Sequence, residues 1–231
     1  MELISLKIPD TIDTNQFSTL LSLVEGKKQA RIMRFLRDAD KYRTLLGDIL
    51  IRQFITKELK IDNREIEFVS NRYNKPYLKN NDAFYFNISH SGNWVILAVD
   101  SKEIGVDIEL MRQIDYSVIN VVFSVNEMEF FQKLPNAKKL STFYKIWTYK
   151  ESFIKASGEG LSKDLKNYSL IPASNSKILT LFDNNRSYFL KQYDEIPDYK
   201  LSVCALHRNF SETLKLKTFE VLYNETITIL G

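Results

Sequence analysis

The chain has 231 residues, 44% of them hydrophobic and 26% charged. That is close to the globular average and long enough to bury a sizeable core; it excludes a disordered tail, a collagen-like fibre and a coiled-coil rod. Lys and Arg number 32 against 29 Asp and Glu, a net charge of +3, too mild a balance to argue for nucleic acid. The seven glycines form neither a G-x-x-x-x-G-K-[ST] phosphate loop nor a G-x-G-x-x-G fingerprint. The single cysteine, Cys204, allows no internal disulfide and lies in an apolar run that reads as a buried strand, so it is taken as a structural thiol. Residues 1–7 lack the basic and long apolar regions of a signal peptide, and no window approaches about 18 apolar residues. A soluble, cytoplasmic protein with no membrane partner is expected.

Residues 3–8 alternate as a strand, 28–37 read as a short basic helix, and 40–59 as a longer one with Tyr42, Leu45, Leu46, Ile49, Leu50 and Phe54 at helical spacing. Strands are predicted over 65–69, 84–88 and 94–99, with turns at Asn74-Lys-Pro76 and Ser91-Gly-Asn93. The second half repeats this order. A strand over 104–109 precedes a short helix from Ser124 to Phe131, opened by a capping box of Ser124 and Glu127. A long helix over 140–156 is stopped by Gly158 and Gly160. Strands follow over 165–171, 186–193 and 199–206, with one more near 218–222. The repeated order predicts an α+β fold of two similar halves, residues 1–102 and 103–231, with a ligand cleft between them.

Four clusters could carry chemistry. In a strand, residues two apart share a face about 6.6 Å apart, so Asp107 and Glu109 present two carboxylates together while Val106 and Ile108 face a core. Their repulsion, on the order of 2 kcal/mol at an effective dielectric near ~20, would be relieved by a hard divalent cation; the same pattern fits the solvent face of an amphipathic strand. On the long helix Thr148, Glu151 and Lys155 share a face, either as chemistry or as a plain surface ion pair. His90, one of two histidines, ends a strand between Ser89 and Ser91, where phosphate contacts and a capped turn are both open; His207 has no companion in the sequence. Lys27, Lys28, Arg31, Arg34, Arg37, Arg43 and Lys75 suit either solvent or a polyanionic small ligand.

Together these segments resemble the Sfp-type 4′-phosphopantetheinyl transferases. The likeness is carried by Arg34-Phe35, Arg43-Thr-Leu-Leu-Gly-Asp48, Lys75-Pro76, Phe86-Asn-Ile-Ser-His-Ser-Gly92, Gly105-Val-Asp-Ile-Glu109, Phe123-Ser124 with Glu127, and Trp147-x-x-Lys-Glu-Ser-x-x-Lys155. It covers almost the whole chain. The resemblance implies a pseudo-twofold monomer with its site between two α+β halves. It implies an enzyme that moves the phosphopantetheine arm of coenzyme A onto a serine of an apo acyl or peptidyl carrier protein of nonribosomal peptide or polyketide synthesis, releasing adenosine 3′,5′-bisphosphate. By the same resemblance Asp107, Glu109 and Glu151 hold Mg²⁺, or Mn²⁺ in its place, and Glu127 either stands near them or only caps its helix. Glu151, Glu109 or a water is the general base, and Lys155 meets the departing phosphate. His90 bonds phosphate oxygens; Lys28, Arg31 and Arg43 meet the 3′-phosphate and pyrophosphate; Lys150 adds a further phosphate contact. Tyr73, Lys75 and Pro76, with Ser89, cradle the adenine, and Asn74 stands where Gly is common. The apolar stretch 111–124, read as a helix, either fills the core or docks a carrier-protein helix. Two other readings compete. A non-catalytic coenzyme A- or carrier-binding module would not need the full carboxylate and lysine set, and a nucleic-acid binder lacks a motif.

Overall fold

Strands β1 (Glu2–Lys7) and β5 (Trp94–Asp100) carry apolar residues on both faces. Leu6, Val95, Leu97 and Val99 pack on one side with Leu45, Leu46, Ile49 and Leu50 of helix α3 (Asp38–Leu59). Leu3, Ile96 and Ala98 pack on the other side with Ile104, Val106 and Ile108 of β6 (Ile104–Leu110) and Leu201 and Val203 of β9 (Tyr199–Ala205). Because strand side chains alternate, two sheets back onto each other and each is covered outside by a helix. The computed structural model describes residues 1–160, 163–172 and 177–230.

The first sheet runs β10–β1–β5–β4, with β4 (Tyr85–Ser91) and β10 (Lys215–Lys217) at its edges; the second runs β6–β9–β8–β7, with β8 (Arg186–Tyr193) and β7 (Ile178–Asp183). Between β1 and β4 come α1 (Thr14–Ser22), α2 (Gly26–Met33), α3 and the small hairpin β2 (Phe68–Ser70) and β3 (Pro76–Leu78). After β6 come α4 (Ile119–Val122), α5 (Val125–Gln132) and α6 (Asn136–Ser157), and α7 (Phe219–Leu230) ends the chain. The two halves repeat one plan: a strand, short helices, a 22-residue helix, then an antiparallel pair that returns to the first strand, giving β1–β5–β4 and β6–β9–β8. The fold is α+β. The closing segment crosses back, however: β10 pairs parallel with β1, and α7 buries Phe219 and Leu222 against the α3 core. Residues 215–230 therefore complete the first half, although a division at 102/103 counts them with the second.

Glycine sets the distance between β6 and α6. A Cβ on Gly105 would lie 2.0 Å from the Ser152 carbonyl oxygen and 2.3 Å from the Ala156 amide nitrogen, so strand and helix backbones touch there. The side chains of Asp107 and Glu109 on the same face of β6 are thereby brought up against α6.

Several predicted elements differ. The stretch 165–171 is not a strand but a 3₁₀ turn (Leu165–Asn167) and irregular chain, because its polar groups go elsewhere: the Leu165 and Tyr168 carbonyls accept from Lys150 Nζ, and the Leu170 amide donates to Glu127. Residues 218–222 open a helix, not a strand; Phe219, Leu222, Thr226 and Leu230 are buried at helical spacing. The segment 111–124 is not one helix but half loop, with a 3₁₀ turn at Tyr116–Val118 and the single turn of α4. Helix α1 and strands β3 and β7 were not predicted. The Ser124–Glu127 capping box is present as read. No helix among the described residues is long and apolar enough to cross a membrane.

Candidate active site

Strand β6 and helix α6 supply the charged centre. Asp107 is 3% exposed, and its Oδ1 accepts from Lys155 Nζ at 2.6 Å and from the Ser89 hydroxyl at 3.1 Å. Its other oxygen, Oδ2, is buried without a hydrogen-bond partner. Glu109 Oε2 accepts from Ser91 at 2.8 Å. Glu151, half-buried one turn before Lys155, has no hydrogen-bond or ion-pair partner among the described residues. Burial raises the Asp107 carboxyl against the pull of Lys155. Burial, then the charge of Asp107, raises Glu109. The same causes push Glu151 up to about 7. The three carboxylates therefore share one electrostatic neighbourhood.

That donor set fits a hard divalent cation: all oxygens, mutually repelling, with one oxygen orphaned in the interior. As placed, no three His, Cys, Asp or Glu side chains among the described residues stand within reach of one ion. The Lys155 ammonium supplies the positive charge at Asp107 instead. Thr148, predicted on the same face, lies beneath the site: it is fully buried and bonds the Tyr144 carbonyl and Ser202 Oγ.

The first half contributes cations. Arg43 donates from Nη1 to the Gly92 carbonyl at 2.8 Å and from Nη2 to Asp40 at 2.5 Å. His90 is exposed at the end of β4; the protein crowding its ring, and the charges of Arg43 and Lys155, depress its proton affinity. A cation of each half therefore acts on it. Lys28 pairs with the buried carboxylate of Asp48, which also accepts from Arg52 Nε at 2.6 Å. Arg31 is exposed on the same helix α2.

Tyr73, Asn74, Lys75 and Pro76 line a cleft of about 200 Å³ together with Lys155 and Gly158. Larger clefts, of about 610 Å³ beside Arg52 and about 870 Å³ beside Tyr193, share no residue with it; Lys155, which pairs with Asp107, ties the smaller one to the charged centre. Asn74 adopts φ 64°, a left-handed conformation that asparagine tolerates, which accounts for its place in the turn. Lys75 does not point its ammonium into the cleft. Its side chain is buried, and Nζ donates to the Ile104 and Ala156 carbonyls at 3.1 Å each, so its backbone and not its charge faces a ligand. Ser89 likewise turns away from the cleft to Asp107 and Lys155.

Two predicted site residues have another part. Lys150 and Glu127 are both fully buried and paired at 2.6 Å. Lys150 Nζ also donates to the Val122, Leu165 and Tyr168 carbonyls. Glu127 accepts from the Ser124 and Leu170 amides. With the three ammonium protons and both carboxylate oxygens engaged inside the second half, neither side chain faces a phosphate or a metal. His207, which had no evident companion, bonds Asp100 at 2.7 Å.

Sequence reasoning missed the part that Asn87 and Ser91 play in tying β4 to β6. Their signal is present: polar residues at period two on a strand whose alternate positions, Phe86 and Ile88, are apolar. A strand flanked by core can bury polar side chains only where something bonds them.

Comparison with known proteins gives the family. A family model described as "4'-phosphopantetheinyl transferase, N-terminal" matches residues 11–102, and one described as "4'-phosphopantetheinyl transferase superfamily" matches 103–204. A 4'-phosphopantetheinyl transferase of Bacillus subtilis is 34% identical over 96% of this chain and 100% of its own length. The 4'-phosphopantetheinyl transferase Sfp of B. subtilis strain 168 is 33% identical over the same shares. The 4'-phosphopantetheinyl transferase gsp of Aneurinibacillus migulanus is 32% identical over 89% of this chain and 86% of its own. The chain therefore belongs to the Sfp-type 4′-phosphopantetheinyl transferase family and is a transferase.

Proposed function

We propose that the enzyme transfers the 4′-phosphopantetheine arm of coenzyme A to a serine of an apo acyl or peptidyl carrier protein, in a magnesium-dependent reaction that serves nonribosomal peptide or polyketide synthesis. The observation that carries this is the electrostatic meeting of Asp107, Glu109, Glu151 and Lys155, with His90 under the charges of Lys155 and Arg43, while Lys155 also lines the cleft between the halves. Three carboxylates alone would repel a pyrophosphate; with a cation among them, and basic groups on the other half, the same cleft accepts one.

The carrier serine Oγ bonds to the phosphorus that bears the pantetheine, and the bond from that phosphorus to the bridging oxygen breaks. Adenosine 3′,5′-bisphosphate leaves with that oxygen. The serine proton goes to Glu151, to Glu109 or to a water held between them. Lys155 Nζ, already at the mouth of the cleft, turns to the phosphate oxygens that gain charge. His90 and Arg43 hold the non-transferring phosphates, and the Tyr73–Pro76 turn offers its backbone to the adenine. Asp107, Glu109 and Glu151 would hold Mg²⁺, which neutralises charge on the transferring and leaving phosphates when bound.

Chelation tests the metal directly. Carrier loading should vanish in EDTA and return with excess Mg²⁺ or Mn²⁺; loading undiminished by EDTA would contradict the proposal.

A further inference from the structure

Strands β4 and β6 are edge strands of different sheets and share no backbone ladder. They are joined by side chains. The amides of Val106, Ile108 and Leu110 donate to Asn87 Oδ1 at 2.8 Å, Ser89 Oγ at 3.3 Å and Ser91 Oγ at 3.1 Å. These are three rungs at period two, in parallel register. The two serine rungs do more. Ser89 donates to Asp107 Oδ1 at 3.1 Å, and Ser91 donates to Glu109 Oε2 at 2.8 Å.

Hydroxyl chemistry explains the pairing. A serine has one proton and two lone pairs. When a β6 amide occupies a lone pair of Oγ, the proton is left for the carboxylate of the residue just before that amide. The strand thus fixes the serine, and the serine fixes the carboxylate. Asn-x-Ser-x-Ser at 87, 89 and 91 is matched to Gly-x-Asp-x-Glu at 105, 107 and 109: the rung without a hydroxyl stands beside the residue without a side chain.

We infer that Ser91 is a positioning residue for the metal site, acting through Glu109 as Ser89 acts through Asp107. Each serine ties down one carboxylate oxygen and so orients the carboxylate for a divalent cation, Glu109 having Trp147 as a second hydrogen-bond partner. For Asp107 the other oxygen is the buried, unpartnered Oδ2. Through this ladder the first half sets the geometry of carboxylates that the second half carries. The inference rests on the magnesium reading above.

The test is Mn²⁺ affinity by electron paramagnetic resonance, with coenzyme A saturating and a coenzyme A-only blank, alongside melting curves. Ser91→Ala should weaken Mn²⁺ binding about 10- to 100-fold, the scale typical of lost hydrogen bonds behind a metal ligand. Ser91→Thr, which keeps the hydroxyl, should restore it. Asn87→Ala removes a rung that touches no carboxylate; it should lower the melting temperature and leave Mn²⁺ affinity unchanged. If Ser91→Ala does not fold, Ser91→Cys keeps the shape with a weak donor and should weaken Mn²⁺ in the same direction. Unchanged affinity in the folded Ser91 variant, or an equal loss in Asn87→Ala, would overturn the positioning role. A wild-type protein that binds no Mn²⁺ would overturn the magnesium reading itself, and this inference with it.

Discussion

Lys150 and Glu151 are neighbours in sequence and opposites in role. About 100° of helix rotation separates them: Lys150 turns into the second half and pairs with Glu127, while Glu151 turns toward β6 with no hydrogen-bond or ion-pair partner among the described residues. Two substitutions should separate these roles. Asp107→Ala is expected to lower kcat/KM about 100-fold or more, the scale of a lost electrostatic contact at the reacting centre, with the fold kept, because one of several repelling carboxylates is removed. Glu127→Ala leaves Lys150 charged and buried without its partner, and should destabilise the fold by about 3–5 kcal/mol. Denaturant melts and carrier-loading kinetics on both variants check this; near-normal turnover in Asp107→Ala would discard its assignment. At this scale the sequence was partly legible. The G-x-D-x-E alternation announced the face of Asp107 and Glu109, but the rotation that buries Lys150 depends on the 122–170 segments that supply its carbonyls, and no local pattern announces those.

At the scale of elements, the carboxyl end of α6 is held from the other half. A helix leaves its last carbonyls without partners. Here Asn71 Nδ2 donates to the Gly158 carbonyl at 2.7 Å, and Lys75 Nζ donates to the Ala156 carbonyl while also reaching Ile104 on β6. A cation at a helix C-terminus also opposes the helix dipole favourably. The cost is a buried ammonium without a carboxylate, and burial pulls Lys75 down to about 8. Between pH 8 and 10.5 the unfolded chain therefore holds a proton that the folded chain has lost, and folding becomes more favourable as pH rises. Over that window wild type should gain stability relative to Lys75→Met by on the order of 3 kcal/mol, read from denaturant melts at each pH. Parallel curves would show that Lys75 keeps its ordinary affinity. The long helices and inner strands were readable because their apolar periodicity is strong. Strand β7 was missed although its turn is marked: Asn184 and Asn185 take φ 48° and 59°, the conformation of a two-residue hairpin. The segment 165–171 misled because an apolar run serves as a strand or as packing chain alike, and the Lys150–Glu127 pair decides between them.

At the scale of the molecule, the two halves meet through a shared apolar core, the β4–β6 ladder and the Lys75 cap, with the charged centre along the same seam. In the second half, the 3₁₀ turn before α4, α4 itself and the start of α5 expose Val118, Val121 and Val125, at 36%, 70% and 74%, whereas Phe123 is core. An exposed apolar group of this kind suits a protein partner. Val121→Asp should raise the KM for carrier protein about 10-fold or more, as loss of an apolar interface contact does, and leave the KM for coenzyme A unchanged; an unaltered carrier KM would place docking elsewhere. The two-half plan was legible from the order of elements alone, but the return of residues 215–230 to the first half was not, since it rests on a three-residue edge strand. The most direct test of the whole account is intact-mass spectrometry of an apo carrier protein incubated with this enzyme, coenzyme A and Mg²⁺. The carrier should gain the mass of one phosphopantetheine on its serine, with one adenosine 3′,5′-bisphosphate released per carrier. An unchanged mass across acyl and peptidyl carriers, with coenzyme A demonstrably bound, would contradict it.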